Sequence, residues 1–323
     1  MNNVRAGSFA GAYVSETKPI LLAYNGPMAN LGGFPPRERE ARAETRNDIW
    51  VGSYSQWGDQ SGRNGIPGYD YNIFGGTSGY DYTFVSPDRA AIGLSIAYSN
   101  TDIEFGEDLG SGSSNGYIGS VYGSYFPGNA YVEGAMSYGN MSIHNNRRLN
   151  IGTIFREASS KHDANVYAIY LGGGYDCNIN GVKVSPFGAL RYVHIEEESF
   201  TETGADDLNL VVAGRGTDSF KSELGVRAGY QFNFSHASLI PEMSASFNYD
   251  YDIGDHIITS SFAGSPGAAF SIKGQENDRC SAAVTASLTY VLDSGLSTSL
   301  IYTGMFGESN SSHGIMGGFR YKF

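Results

Sequence analysis

The sequence predicts an all-β fold. The expected form is a transmembrane antiparallel β-barrel of about twelve strands over residues 46–323, with a segment of different character, residues 1–45, in front of it. Three observations carry this expectation. Long stretches alternate apolar and polar residues with a period of two, as strands with one apolar and one wet face do. Tight-turn sequences alternate with longer connections, the pattern of outer-membrane barrels, whose short turns face the periplasm and whose long loops face outward. The 44 Gly, 23 Tyr and 18 Phe suit many turns and aromatic girdles, and no apolar run approaches the roughly 18–20 residues of a membrane helix. A strand crosses with about 9–11 residues, only half of them facing lipid, so a mean hydropathy of −0.27 is compatible with a membrane protein.

Alternation places strands at about 47–58, 68–83, 90–105, 115–126, 130–143, 164–178, 182–196, 217–232, 238–252, 278–292, 295–307 and 312–323. The eighth is the clearest. Phe220, Ser222, Leu224, Val226, Ala228, Tyr230 and Phe232 share one face, and Lys221, Glu223, Gly225, Arg227, Gly229 and Gln231 the other. In the ninth, Leu239, Pro241, Met243, Ala245, Phe247, Tyr249 and Tyr251 oppose Ser238, Glu242, Ser244, Ser246, Asn248 and Asp250. Such runs exceed the roughly 5–6 residues of typical soluble strands. Tight turns are expected at Ser86-Pro87-Asp88, Pro127-Gly128-Asn129, Asn180-Gly181 and Asp293-Ser294-Gly295. Long external loops are expected at about 59–67, 106–114, 144–163, 197–216 and 253–277. An even strand number returns both ends of the barrel to the periplasmic side. Residues 1–45 lack the alternation. Pro35-Pro36 precedes a run of helix formers at 37–45, while Pro19 and Gly26-Pro27 would interrupt a helix over 8–31.

Charges follow from the same counting. A lipid-facing Arg or Lys near the bilayer midplane costs about 2–4 kcal/mol. The period of two turns Arg191, Lys221, Glu223, Arg227, Glu242 and Arg320 into the lumen instead, as a mixed-sign network that braces the wall or grips a chain inside it. Along the last strand Ile315, Gly317, Phe319, Tyr321 and Phe323 alternate on one face up to the final residue.

Other chemistry is sparse. A net charge of −12 argues against nucleic acid as a partner. The six histidines show no metal-ligand spacing, and Cys177 and Cys280 stand far apart, so no metal or other cofactor is expected. Acidic groups such as Glu107, Asp108, Glu202, Asp206 and Asp207 read as solvated loop residues. The best hydrolase-like cluster, Asp250, Asp252, Asp255 and His256, has no second half, and Gly-x-Ser-x-Gly is absent, so no catalytic residue is expected.

Several stretches, in order, carry a family resemblance. They are Asp48-Ile49-Trp50-Val51-Gly52, the Gly…Gly-x-Asp pattern in Phe74-Gly75-Gly76-Thr77-Ser78-Gly79-Tyr80-Asp81, Ile92 to Ser99, and Tyr122-Gly123-Ser124-Tyr125 through Gly134 and Tyr138-Gly139 to Arg147-Arg148. Tyr192 through Phe200-Thr201-Glu202-Thr203-Gly204 to Leu210 completes the set. Across 46–323 the chain resembles the C-terminal translocator domain of monomeric autotransporters. The resemblance implies a monomeric, non-enzymatic barrel in the outer membrane of a Gram-negative-type bacterium, in contact with outer-membrane lipid and lipopolysaccharide. Such a domain anchors an N-terminal passenger and helps export it to the cell surface, with the segment joining the two, here 1–45, threading the lumen and helical in part. The final strand, with Phe319, Tyr321 and Phe323, resembles the assembly signal that the barrel-assembly machinery captures by edge pairing. A porin-like channel and a barrel-rim hydrolase are the alternatives.

Overall fold

The computed structural model describes residues 46–63, 65–84, 89–253, 257–275 and 278–323. Twelve long strands are laid out in chain order: β1 Arg46–Gln60, β2 Tyr69–Phe84, β3 Arg89–Phe105, β4 Gly110–Phe126, β5 Ala130–Ile151 and β6 Ile154–Tyr175. They continue with β7 Val182–Glu197, β8 Arg215–Gly229, β9 Ala237–Asp250, β10 Cys280–Leu292, β11 Leu296–Phe306 and β12 Asn310–Lys322. Each pairs antiparallel with the next. The ring closes where β1 meets β12, from Asp48 opposite Lys322 to Gln60 opposite Asn310. Closure gives every strand two neighbours, which is how a sheet satisfies its backbone in a bilayer with no water to bond to.

The alternation read from the sequence is the alternation of the wall. On β8 and β9, Leu224 and Met243 are each 70% exposed on the outer face, while Lys221 and Asp250 turn inward and are largely covered. The tight turns at one end adopt the backbone their residues favour. Asn180 and Gly181 both have positive φ, at 53° and 86°, the pair a two-residue type I′ turn requires. Asn47 and Phe323 exchange backbone hydrogen bonds of 3.1 and 2.9 Å, so the barrel begins and ends at this same, short-turn side. The expected turn at Ser86-Pro87-Asp88 and the whole of 1–45 lie outside the described residues.

The other end holds more strand than the sequence expectation. Residues 110–114 belong to β4, which leaves a connection of only 106–109, and most of 144–163 is strand. At 22 residues each, β5 and β6 are about twice as long as a crossing needs, so their far halves stand above the membrane as a hairpin turning at Gly152. Asn145, Asn146, Arg147, Arg148, Asn150, Arg156 and Glu157 lie there. With no lipid to select apolar residues on one face, the period-two signal fades although the ladder continues. The two longest loops also carry strands. Phe200–Thr201, Leu210–Val212, Ile257–Phe262 and Ser265–Lys273 form a small external sheet packed on Phe200, Leu210, Val212 and Ile258. Paired backbone bonds between Ser159 and Thr203, 2.8 and 2.9 Å, join it to β6.

The natural cysteines report on sidedness. Cys177 follows β6 at the short-turn end, and Cys280 opens β10 at the loop end, where it is exposed. A membrane-impermeant maleimide on intact cells should label Cys280 and spare Cys177. The reverse pattern would invert the topology.

Candidate functional site: the inner wall

The wall must expose polar groups to the lumen and still leave room. It does so by laying aromatic rings flat over glycines. Trp50 lies over Gly79, Tyr54 over Gly75, Tyr122 over Gly93, Tyr131 over Gly174 and Phe187 over Gly225, and a Cβ at any of these glycines would collide with the ring. The glycines in these strands are therefore seats for side chains of the neighbouring strand.

Two of these seats frame a charged cluster near the periplasmic rim. Arg320 of β12 donates from Nη1 to Asp48 Oδ2 of β1 at 3.2 Å and also to Asp81 of β2. The Tyr122 hydroxyl, reaching over Gly93 of β3, donates to Asp81 and accepts from Trp50 Nε1 at 3.0 Å. All five side chains are buried. One guanidinium thus joins β12, β1 and β2 across the line where the barrel closes.

A second cluster lies across β5–β9. Arg191 Nη2 donates to Glu223 Oε2 at 2.7 Å, and its guanidinium stands over the Tyr170 ring, 5.5 Å from the centroid. The Tyr170 hydroxyl donates to Glu133 Oε1 at 2.7 Å. Lys221 Nζ sits 3.4 Å from Asp250 Oδ2, and Arg227 stacks on Phe187 at 5.3 Å. Glu242 lies opposite Gly229, toward the periplasmic end of the same sector.

Of the residues the sequence picked out, Arg191, Lys221, Glu223 and Arg227 therefore share one sector with Glu242 at its edge, while Arg320 belongs to a separate cluster at the seam. The sequence reading missed Asp48, Asp81, Tyr122, Glu133 and Tyr170 as members. Alternation could have found the first two, since Asp48 shares the face of Trp50 and Asp81 that of Gly79. Asp250 turns inward, as its place on the polar face of the ninth strand predicts, and pairs with Lys221; Asp255 and His256, grouped with it as a rim cluster, lie outside the described residues. One acidic residue needs correcting. Glu202 is not a solvated loop residue. It is fully enclosed against the β5 extension, where Arg147 Nε and Nη2 donate to its two oxygens at 2.9 and 2.6 Å and the Leu210 N–H adds a third bond at 2.7 Å. Burial pushes the Glu202 carboxyl above the usual carboxylate range and the Arg147 guanidinium below its own, so each charge depends on the other. This pair fastens the loop 198–214 to the tall hairpin.

On the outer face of β12, Ile315, Phe319, Tyr321 and Phe323 are exposed to lipid, opposite in direction to Arg320.

Comparison with known proteins places this architecture. The family model described as Autotransporter beta-domain matches residues 49–303. "Outer membrane protein A" of Rickettsia conorii is 30% identical over 214 residues, which is 62% of this chain and 10% of that protein. "Extracellular serine protease" of Serratia marcescens is 22% identical over 281 residues, 86% of this chain and 26% of that one. The chain thus spans about a tenth to a quarter of the length of these relatives. Among solved structures, the translocator domain of the autotransporter NalP from Neisseria meningitidis superposes with a TM-score of 0.70 at 12% identity, covering 97% of this chain and 99% of that one. The transport unit of AIDA-I from Escherichia coli gives 0.65 at 16% identity, covering 97% and 98%.

Proposed function

The chain belongs to the autotransporter beta-domain family and is an outer-membrane translocator domain, and from that premise we propose that residues 1–45 cross its lumen and connect the barrel to a passenger outside. The barrel itself performs no reaction. Its work is to anchor, to hold a path open during export and to close that path afterwards. The observation that supports this reading is where the barrel starts. β1 leaves its first residues at the periplasmic end, hydrogen-bonded to Phe323, so a passenger at the cell surface requires the preceding chain to traverse the pore. Crossing about 30 Å takes roughly 20 residues as helix or about ten if extended, and 45 suffice for either. Within the lumen, Arg191, Glu223, Lys221 and Arg227 offer that segment polar partners. The lipid-facing aromatics of β12, Phe319, Tyr321 and Phe323, serve as the signal by which the assembly machinery takes up the strand edge. The external hairpin and loops meet the lipopolysaccharide layer, and the barrel acts as a monomer.

Single-channel recording tests the path. The full chain should conduct rarely and briefly, and removing residues 1–45 should leave a folded barrel of steadily higher conductance. Equal conductance with and without the segment would place it outside the pore. A large steady conductance from the full chain would favour a porin-like channel.

A further inference from the structure

High on the inner wall, between β3 and β6, a patch of hydrogen-bonding side chains is left over from every interaction described above. The register sets Thr101 opposite Ser114, Ser114 opposite Ile143, and Ile143 opposite His162. One step further out, Gly112 faces Asn145 and Asn145 faces Ser160. These rows place Thr101, Ser114, Asn145, Ser160 and His162 on one continuous inward surface spanning four strands. All five side chains are more than nine-tenths buried. Thr101 Oγ1, Ser114 Oγ, Asn145 Oδ1 and Nδ2, Ser160 Oγ and both ring nitrogens of His162 nevertheless have no hydrogen-bond partner among the described residues. Ile73, Ile103, Ile143 and Met141, buried on the same wall, border them with apolar surface.

Buried polar atoms without partners are costly, and native structures seldom gather them in one place without something to bond. What would bond here is defined by chemistry. The patch has hydroxyls, an amide and an imidazole, so it offers donors and acceptors side by side. The charges nearest to it, Glu197 and Arg215 beside His162, are bonded to each other at 2.7 Å and offset one another. An ion would find no compensating charge, whereas a peptide backbone, with alternating N–H and C=O groups, finds matching partners along its length. The position fits a chain leaving the pore. Arg147, which holds the external loop through Glu202, lies two residues beyond Asn145 on the same face of β5.

We infer that this patch is an exit seat, which hydrogen-bonds the backbone of residues 1–45 where that segment passes the outer end of the lumen. The inference rests on the translocator reading and adds the wall residues that hold the chain. A seat that reads backbone and not side chains also suits a translocator through which the varied sequence of a passenger must slide before the final segment comes to rest.

Disulfide trapping in the full protein tests it. With Cys177 and Cys280 replaced by Ser, Ser114→Cys or Ser160→Cys is combined with single cysteines placed one at a time across residues 8–31, and the cells are mildly oxidised. Ser124→Cys, buried on β4 toward the periplasmic end, serves as a second lumen position, and Lys161→Cys, exposed beside Ser160, as the outward control. The heat-dependent gel shift of a closed barrel identifies folded variants, and Thr101→Cys replaces any that fails to fold. Both upper positions should trap a narrow, shared set of partners, and Lys161→Cys none. Trapping at Ser124→Cys without trapping at the upper positions overturns the seat and leaves the threaded pore intact. Trapping at none of the lumen positions overturns the threaded pore, and the seat with it.

Discussion

Replacing Arg320 by Leu should destabilise the barrel more than any other single change on the inner wall. The side chain is buried and bonds carboxylates on two strands, Asp48 and Asp81, which lie directly opposite each other in the β1–β2 register. Removing it leaves two enclosed carboxylates facing one another without a cation, and breaking a buried ion pair from one side costs about 3–5 kcal/mol. Because Arg320 joins β12 to β1, the loss falls on the seam that closes the ring. In detergent or vesicles, the denaturation midpoint of Arg320→Leu should fall well below that of Arg191→Leu, whose pair with Glu223 is somewhat more exposed. Adding Asp48→Asn and Asp81→Asn to Arg320→Leu should recover part of the loss, since the stranded charges are then removed. Equal effects at Arg320 and Arg191, or no recovery, would show that the cluster is not a clasp.

The opposite face of the same strand should give an equally large effect on a different quantity. Phe319, Tyr321 and Phe323 replaced together by Ser should lower the amount of assembled barrel severalfold while leaving the stability of what does assemble much less changed. The comparison set is Ile92, Leu94 and Ile96 on β3, which are 51–58% exposed to lipid, similar to the 46–61% of the β12 aromatics. Both sets lose comparable apolar contact with the bilayer. Only the β12 set also loses features that a strand-capturing partner would read on the terminal edge. Equal assembly defects from the two sets would reduce the aromatics to ordinary lipid-facing area. Arg320 and Phe319 are adjacent in sequence, so the two experiments separate closure from recognition within a single turn of the pleat.

These features differ in how legible they were. Strand number, alternation and the closed ring were readable because lipid imposes a strict period of two. Leu224 and Glu223 could not exchange faces without placing a carboxylate in hydrocarbon. The signal stopped where the lipid stopped. Beyond about Ile143 the β5–β6 hairpin stands in water, and Asn145 to Asn150 reads as loop although its ladder is unbroken. The inward direction of the lumen charges followed from the same rule, but their grouping did not. Whether Arg320 reaches Asp81 or Glu223 depends on strand order around the ring and on glycines such as Gly93 that let Tyr122 lie across a neighbouring strand, contacts between residues 41 and 239 positions apart. Glu202 escaped for a related reason. Nothing in Phe200-Thr201-Glu202 shows that Arg147, 55 residues earlier, stands ready to enclose it.

Surface display of a fused reporter measures export through the barrel. A protease-sensitive reporter is fused in front of residue 1, with a signal peptide for export to the periplasm, and its cleavage by protease added to intact cells is scored alongside the gel shift of the barrel. If residues 1–45 thread the lumen and carry the passenger out, the reporter is cut when residues 1–323 are present, and protected when residues 1–45 are removed although the barrel still assembles. A folded barrel in the outer membrane that leaves the reporter of the full chain shielded in the periplasm would contradict this reading.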